Sequence, residues 1–206
     1  MSSSTCPGAS NGSNLDHVGF YFNLHGAQVD LVSPNDTCLG CGGADSVDFF
    51  FFVTHGDLNG AYYMWDQSVV ARSTNMRLGD NGQQAKVFAS YACDTMTIAD
   101  GNQIGRWENA FNGGLKISLG GYDLVYEGND QKGTEFSGRI ENGQPVGFSW
   151  NEAVWYADNS NHPIAFATGA TNADCSNRRQ ANLGSVWTMP RLQDDAWQYL
   201  CTSGWN

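Results

Sequence analysis

FFFFVTHGDLNG, residues 49–60, is the stretch on which the fold turns. Four phenylalanines and a valine run into Thr54-His55-Gly56, and the chain becomes polar at once. A strand with one wet face alternates apolar and polar residues, whereas a strand covered on both faces reads as an unbroken apolar run. Val47–Val53 is of the second kind, and so is Lys86–Ala92 (KVFASYA). Both are therefore predicted as strands inside a sheet with helices on each side.

Working outward, further apolar runs at Val18–Leu24, Leu115–Leu119 and Ile164–Thr168 have the length of strands. The segments between them carry helical spacing. Ile104, Trp107 and Phe111 recur at three and four residues, as do Phe136 and Ile140. Pro145 suits a first helical turn and opens a segment in which Trp150, Val154 and Ala157 share a face. Leu192–Leu200 is read as one more helix. Strands alternating with helices give an α/β fold: one three-layer domain with a central, mostly parallel sheet flanked by helices. The domain is placed at residues 15–206, behind a flexible amino-terminal segment over residues 1–14. The Gly-, Asn-, Asp- and Cys-rich stretch before residue 47 holds no clear helix, which leaves the amino-terminal edge of the sheet least defined.

In open α/β sheets, sites gather beyond the carboxyl ends of parallel strands. Thr54-His55-Gly56-Asp57 follows one buried run, and Cys93-Asp94-Thr95 follows another. If those strands are neighbours, His55 and Cys93 share one edge as a base and a nucleophile. Free cysteine ionises near about 8.5, so an imidazole that takes its proton raises the thiolate fraction at neutral pH. Gly56 leaves room beside the histidine for substrate, and its backbone N–H, with that of Cys93, forms an oxyanion hole.

An apolar strand ending in His-Gly, followed by a second ending in Ala-Cys-acidic, resembles the caspase-like cysteine peptidases: caspases, metacaspases, legumains, gingipains, separases and CHAT domains. The residues that carry the resemblance are Phe49–Gly56 and Val87–Asp94, with a weaker likeness over Asn112–Gly121 and over Thr134–Ala157. It spans residues 47–169. The resemblance implies a caspase-like fold and an endopeptidase acting through a thioester, with Cys93 as nucleophile and His55 as its partner. It places a substrate pocket around Asn23, His25, Asp94, Ser118 and Tyr122. It implies no cofactor, and a peptide or protein as partner. Two alternatives stay open. The same acyl-enzyme passed to an amine gives a transpeptidase, ligase or cyclase, and a scaffold without turnover gives a binding module.

Composition narrows the classes. The chain has 206 residues, 41% of them hydrophobic and 13% aromatic, enough for one sizeable core. No apolar run approaches the roughly 20 residues of a membrane-spanning helix. A net charge of −11 argues against nucleic-acid and anionic-membrane partners. Among the six cysteines, Cys38 and Cys41 have metal-type spacing, but no second similar pair exists and the stretch reads as a loop. With Cys93 set aside, Cys6, Cys38, Cys41, Cys175 and Cys201 leave one thiol over if the rest pair. Few lysines, much Gly, Asn and Ser, and the triplets Asn11-Gly12-Ser13 and Asn35-Asp36-Thr37 lean towards a secreted or extracellular protein, with a cytoplasmic one as the alternative. His25 also ends an apolar run before a glycine and rivals His55, while His17 and His162 read as surface residues. Asp94, Asp100, Asp123, Glu127 and Asp130 are the candidates for a calcium site, although their spacing is not that of an EF-hand.

Overall fold

The computed structural model describes residues 48–63, 70–79, 85–126 and 132–204. The predicted strand at Val18–Leu24, the amino-terminal segment 1–14, and Asn23 and His25 lie outside them. The frame is a mixed α/β arrangement around a five-stranded sheet in the order β1-β5-β6-β7-β8. The strands are β1 Phe49–Val53, β5 Val87–Tyr91, β6 Ile117–Gly121, β7 Pro163–Gly169 and β8 Tyr199–Gly204. A separate three-stranded antiparallel sheet inserts after β1, from β2 His55–Gly56, β3 Ala61–Tyr63 and β4 Val70–Arg72.

The unbroken apolar runs are buried on both faces. Phe49 and Phe51 of β1, with Val87 and Ala89 of β5, pack with Phe136, Ile140, Trp150 and Val154 on one side of the sheet. Phe50 and Phe88 pack with Trp107, Phe111 and Phe166 on the other. The first group is covered by α2 Lys132–Glu141 and α3 Val146–Ala157, the second by α1 Gln103–Asn112. Aromatic edges knit the layers: Trp150 meets Phe51 at 6.2 Å and Phe136 at 5.6 Å, and Trp107 meets Phe88 at 5.9 Å between centroids. Trp150 also donates its indole N–H to the Gly120 carbonyl at 3.0 Å, so the buried ring keeps its polar atom paired. Within α1, Trp107 and Phe111 face the core but Ile104 does not; it is 48% exposed.

Two expectations need correction. The sheet is mixed, not mostly parallel: β1, β5 and β6 pair parallel, but β6–β7 and β7–β8 pair antiparallel. The segment expected as a helix over Leu192–Leu200 is instead a short 3-10 turn, Asp194–Ala196, followed by β8. Pairing with β7 from Ile164↔Gly204 to Gly169↔Tyr199 satisfies the backbone of the strand along six residues. Cys175, in α4 Asn172–Arg179, is cross-linked to Cys201 of β8. The last helix, α5 Leu183–Thr188, adds Val186 to the core on the α2–α3 side.

Candidate active site

β1 and β5 are parallel neighbours in the register Phe49↔Val87 to Val53↔Tyr91. Thr54 continues the ladder, its N–H donating to the Tyr91 carbonyl at 3.3 Å. His55 and Cys93 each lie two residues past the end of their strand, His55 in the pairing of β2 with β3. Both follow the carboxyl ends of parallel strands.

The turn that carries Cys93 is held from several directions. The Asp94 N–H donates to the Asp123 carbonyl at 3.0 Å and the Met96 N–H to the Gly121 carbonyl at 3.0 Å. The Trp107 indole N–H donates to the Thr95 carbonyl at 3.2 Å. A Cβ on Gly56 would lie 2.3 Å from the Cys93 carbonyl oxygen and 2.3 Å from Thr95 Cγ2. Gly56 is therefore a glycine because the two segments touch there. The expectation that it holds open a space for substrate is corrected by this contact.

His55 is half-buried, and its Nδ1 is buried without a hydrogen-bond partner among the described residues. Its backbone is fixed by the pairing of His55 with Tyr63 across β2 and β3. Cys93 is 1% exposed, and its Sγ accepts the Val125 N–H at 3.0 Å. That sulfur is in a disulfide, whose partner lies outside the described residues. A disulfide sulfur has no proton to lose and is not a nucleophile, so Cys93 can attack a carbonyl only after reduction.

Three carboxylates stand around this edge. Asp94 adopts a left-handed backbone, φ 60°, which an aspartate tolerates better than most residues. It is 7% exposed, and burial pushes its carboxyl above the ordinary value, with Asp123 and Asp57 adding repulsion. Asp57 is engaged by the N–H groups of Asn59 at 2.8 Å and Ala61 at 3.2 Å, and by the Tyr63 hydroxyl at 2.5 Å. Asp123 accepts the Leu124 N–H at 2.8 Å and lies 3.4 Å from His162 Nδ1, an ion pair when that ring is protonated. Tyr122 lies against His162 with centroids 5.2 Å apart and the rings tilted by 40°; burial and Asp123 push its hydroxyl upward in pKa.

Of the residues expected in a substrate pocket, Asp94 and Tyr122 sit at this edge. Ser118 does not line a pocket: it is fully buried inside β6, its hydroxyl against Met96 Sδ at 3.6 Å. Among the calcium candidates, Glu127 and Asp130 lie outside the described residues. Asp100 is occupied by Arg106 at 2.6 and 2.9 Å, which holds its carboxyl down at about 2. Among the described residues, no group of three His, Cys, Asp or Glu side chains is set to hold a metal.

Asp57 and His162 were not singled out for a site from sequence and Asp123 only as a calcium candidate, and the local pattern around them carries no signal of this arrangement. His162 reaches Asp123 across 39 positions only because β6 and β7 pair Gly121 with Pro163. Asn161 beside it is 1% exposed and donates to the Val154 carbonyl at 2.9 Å and to the Tyr126 carbonyl and Tyr91 hydroxyl at 3.2 Å each. It ties the segment that covers the Cys93 sulfur to the body of the domain.

The protein is a mixed α/β fold in which a histidine and a cysteine follow two adjacent parallel strands. Over residues 29–199 the sequence matches the family described as Domain of unknown function (DUF6345), and the chain belongs to that family. No curated protein matches it.

Proposed function

We propose that the protein is a cysteine peptidase of caspase-like fold, with Cys93 as nucleophile and His55 as its acid–base partner. It is latent while Cys93 remains in its disulfide. One observation supports the reading: β1 and β5 pair in parallel as far as Val53↔Tyr91, and His55 and Cys93 each follow two residues later. A thiol reductant converts the disulfide to two thiols and is itself oxidised. His55 then takes the Cys93 proton, and the thiolate attacks the scissile carbonyl carbon. The backbone N–H groups of Gly56 and Cys93 receive the developing oxyanion; one such donor is worth on the order of 3 kcal/mol. The C–N bond breaks as the imidazolium gives its proton to the leaving amine, and a thioester remains on Cys93. Water, deprotonated by His55, releases the acid and restores the thiol. An amine in place of water gives a transpeptidase, ligase or cyclase from the same intermediate. The partner is a peptide or protein, and the chemistry calls for no cofactor. A place outside the cytoplasm is supported by the Cys175–Cys201 disulfide, since such bonds persist in oxidising compartments.

A non-catalytic caspase-like binding module is the second reading. The 1% exposure of Cys93 and its disulfide favour it. Incubation with a peptide electrophile, with and without a thiol reductant, followed by mass mapping, separates the two. The peptidase reading expects reductant-dependent labelling at Cys93, slowed at least about 100-fold by His55→Ala. Labelling at Cys93 no faster than at Cys175 after reduction supports the binding module instead.

A further inference from the structure

Val125 sets its backbone against the Cys93 sulfur, its N–H donating to Sγ at 3.0 Å and its carbonyl oxygen 3.5 Å away. A thiolate takes that N–H as a charged acceptor, whereas a neutral thiol only donates weakly to the carbonyl. Hydrogen bonds to an ionised partner are roughly twice as strong as neutral ones, so the pair of contacts favours the thiolate. Burial works the other way. Cys93 is 1% exposed, and desolvation by itself opposes a charged sulfur. A nucleophile at this depth therefore requires a fixed donor beside it.

Val125 belongs to the stretch from Tyr122 to Tyr126, which is tied down at both ends. At the near end the Tyr122 N–H donates to the His162 carbonyl and the Asp94 N–H to the Asp123 carbonyl, 3.0 Å each. At the far end stands Asn161, 1% exposed, in the turn that follows α3. Its amide oxygen accepts the Tyr126 N–H, and its amide N–H donates to the Tyr126 carbonyl at 3.2 Å. The same side chain donates to the Val154 carbonyl at 2.9 Å and to the Tyr91 hydroxyl at 3.2 Å. That hydroxyl in turn donates to the Tyr126 carbonyl. An amide carries donors and an acceptor together, and here both kinds are used on one neighbour. Val125 has little room to shift, because a Cβ on Gly121 would lie 2.3 Å from its Cγ2.

We infer that Asn161 is a positioning residue: through Tyr126 it holds the Val125 N–H on Cys93 Sγ, where that donor stabilises the thiolate formed after reduction. The inference rests on the reading of Cys93 as the nucleophile, and it adds a fixed donor to the base that His55 supplies. A thiol reductant splits the disulfide into two thiols and is itself oxidised. The Cys93 proton passes to His55, and the charged sulfur keeps the Val125 N–H until it attacks the carbonyl carbon. As the new C–S bond forms, the negative charge moves to the substrate oxygen. Because the donor is a main-chain group, replacing the Val125 side chain leaves it in place, and the test must act on what holds it.

The ionisation of Cys93 is followed in the whole reduced chain by the Cβ carbon resonance of labelled cysteine, assigned by its loss in Cys93→Ser. No reagent has to reach the sulfur. The unaltered protein is expected to show a midpoint below the ordinary thiol value of about 8.5. Asn161→Ala is expected to move it up by about one pH unit, the scale of one lost hydrogen bond to a charged group. Tyr91→Phe keeps the ring against Trp150 but loses the hydroxyl on the Tyr126 carbonyl, and moves the midpoint the same way by less. If Asn161→Ala does not fold, Tyr91→Phe decides alone. A lower melting temperature with an unmoved midpoint means that Asn161 only stabilises the fold, and overturns the inference. So does a midpoint at or above about 8.5 in the unaltered protein. His55→Ala keeps the two claims apart. A midpoint that rises there but in neither other variant overturns the inference and leaves the dyad standing. One that rises in Asn161→Ala but not in His55→Ala sinks the dyad and leaves the donor.

Discussion

The two ends of the central sheet are built on opposite terms. At the amino ends of β1, β5 and β6, cations are gathered and satisfied: Lys86 pairs with Asp48, Lys116 donates to two carbonyls, and Arg191 donates to the Ala85 carbonyl at 2.7 Å. At the carboxyl ends, Asp94 has a left-handed backbone and a carboxyl pushed up by burial, Asp123 and Asp57, and His55 Nδ1 is buried without a hydrogen-bond partner among the described residues. A satisfied cluster stabilises and stays shut. The difference is one reason the site is proposed at the carboxyl edge.

The largest expected effect belongs to that edge. In reduced protein, Cys93→Ala abolishes peptide cleavage and His55→Ala lowers kcat about 100- to 10,000-fold, measured on a fluorogenic peptide. Melting temperatures within a few degrees of the parent would confirm that the loss is chemical.

Stability effects come next and sharpen the contrast. Cys201→Ala opens the cross-link to Cys175 and is expected to cost about 2–4 kcal/mol in denaturant unfolding. Gly56→Ala forces a methyl against the Cys93 carbonyl and Thr95, at an expected cost of about 1–3 kcal/mol. Equal stability with the methyl in place would mean that β2 and the Cys93 turn do not touch.

The smallest effects separate the two ends by pH. Burial first, then Arg191, Lys86 and Arg178, lowers the Lys116 ammonium to about 8. The unfolded chain keeps that proton up to the ordinary lysine value of about 10.4, so it binds more protons between the two values. The Lys116 contribution to stability therefore rises with pH from about 8 to about 10, and Lys116→Met removes that slope from an unfolding series. At Asp94 the sign reverses. A carboxyl raised in the folded chain contributes stability at acid pH that is lost as pH climbs through its folded value. Asp94→Asn is accordingly expected to raise the melting temperature by a few degrees at neutral pH, a gap that closes below pH of about 4.

What could be read from sequence followed local physics. β1 and β5 announce themselves because strands covered on both faces need apolar residues at every position, as Phe49, Phe50, Val87 and Phe88 show. The helices at Gln103–Asn112, Lys132–Glu141 and Val146–Ala157 follow from spacing and from Pro145. Register needed both strands together, and it falls out once they pair. The rest depends on contacts between distant residues. β8 was hidden because its pairing with β7 is invisible locally. The approach of Gly56 to Cys93 and the tie between His162 and Asp123 have no sequence signature, because each joins segments 37 or more positions apart.

The most direct test of the dyad is the pH dependence of Cys93 alkylation in reduced protein, followed residue by residue by mass mapping. The account expects an apparent thiol pKa below the ordinary value of about 8.5, moving back towards that value in His55→Ala. An apparent pKa at or above about 8.5 that His55→Ala leaves unchanged would contradict it.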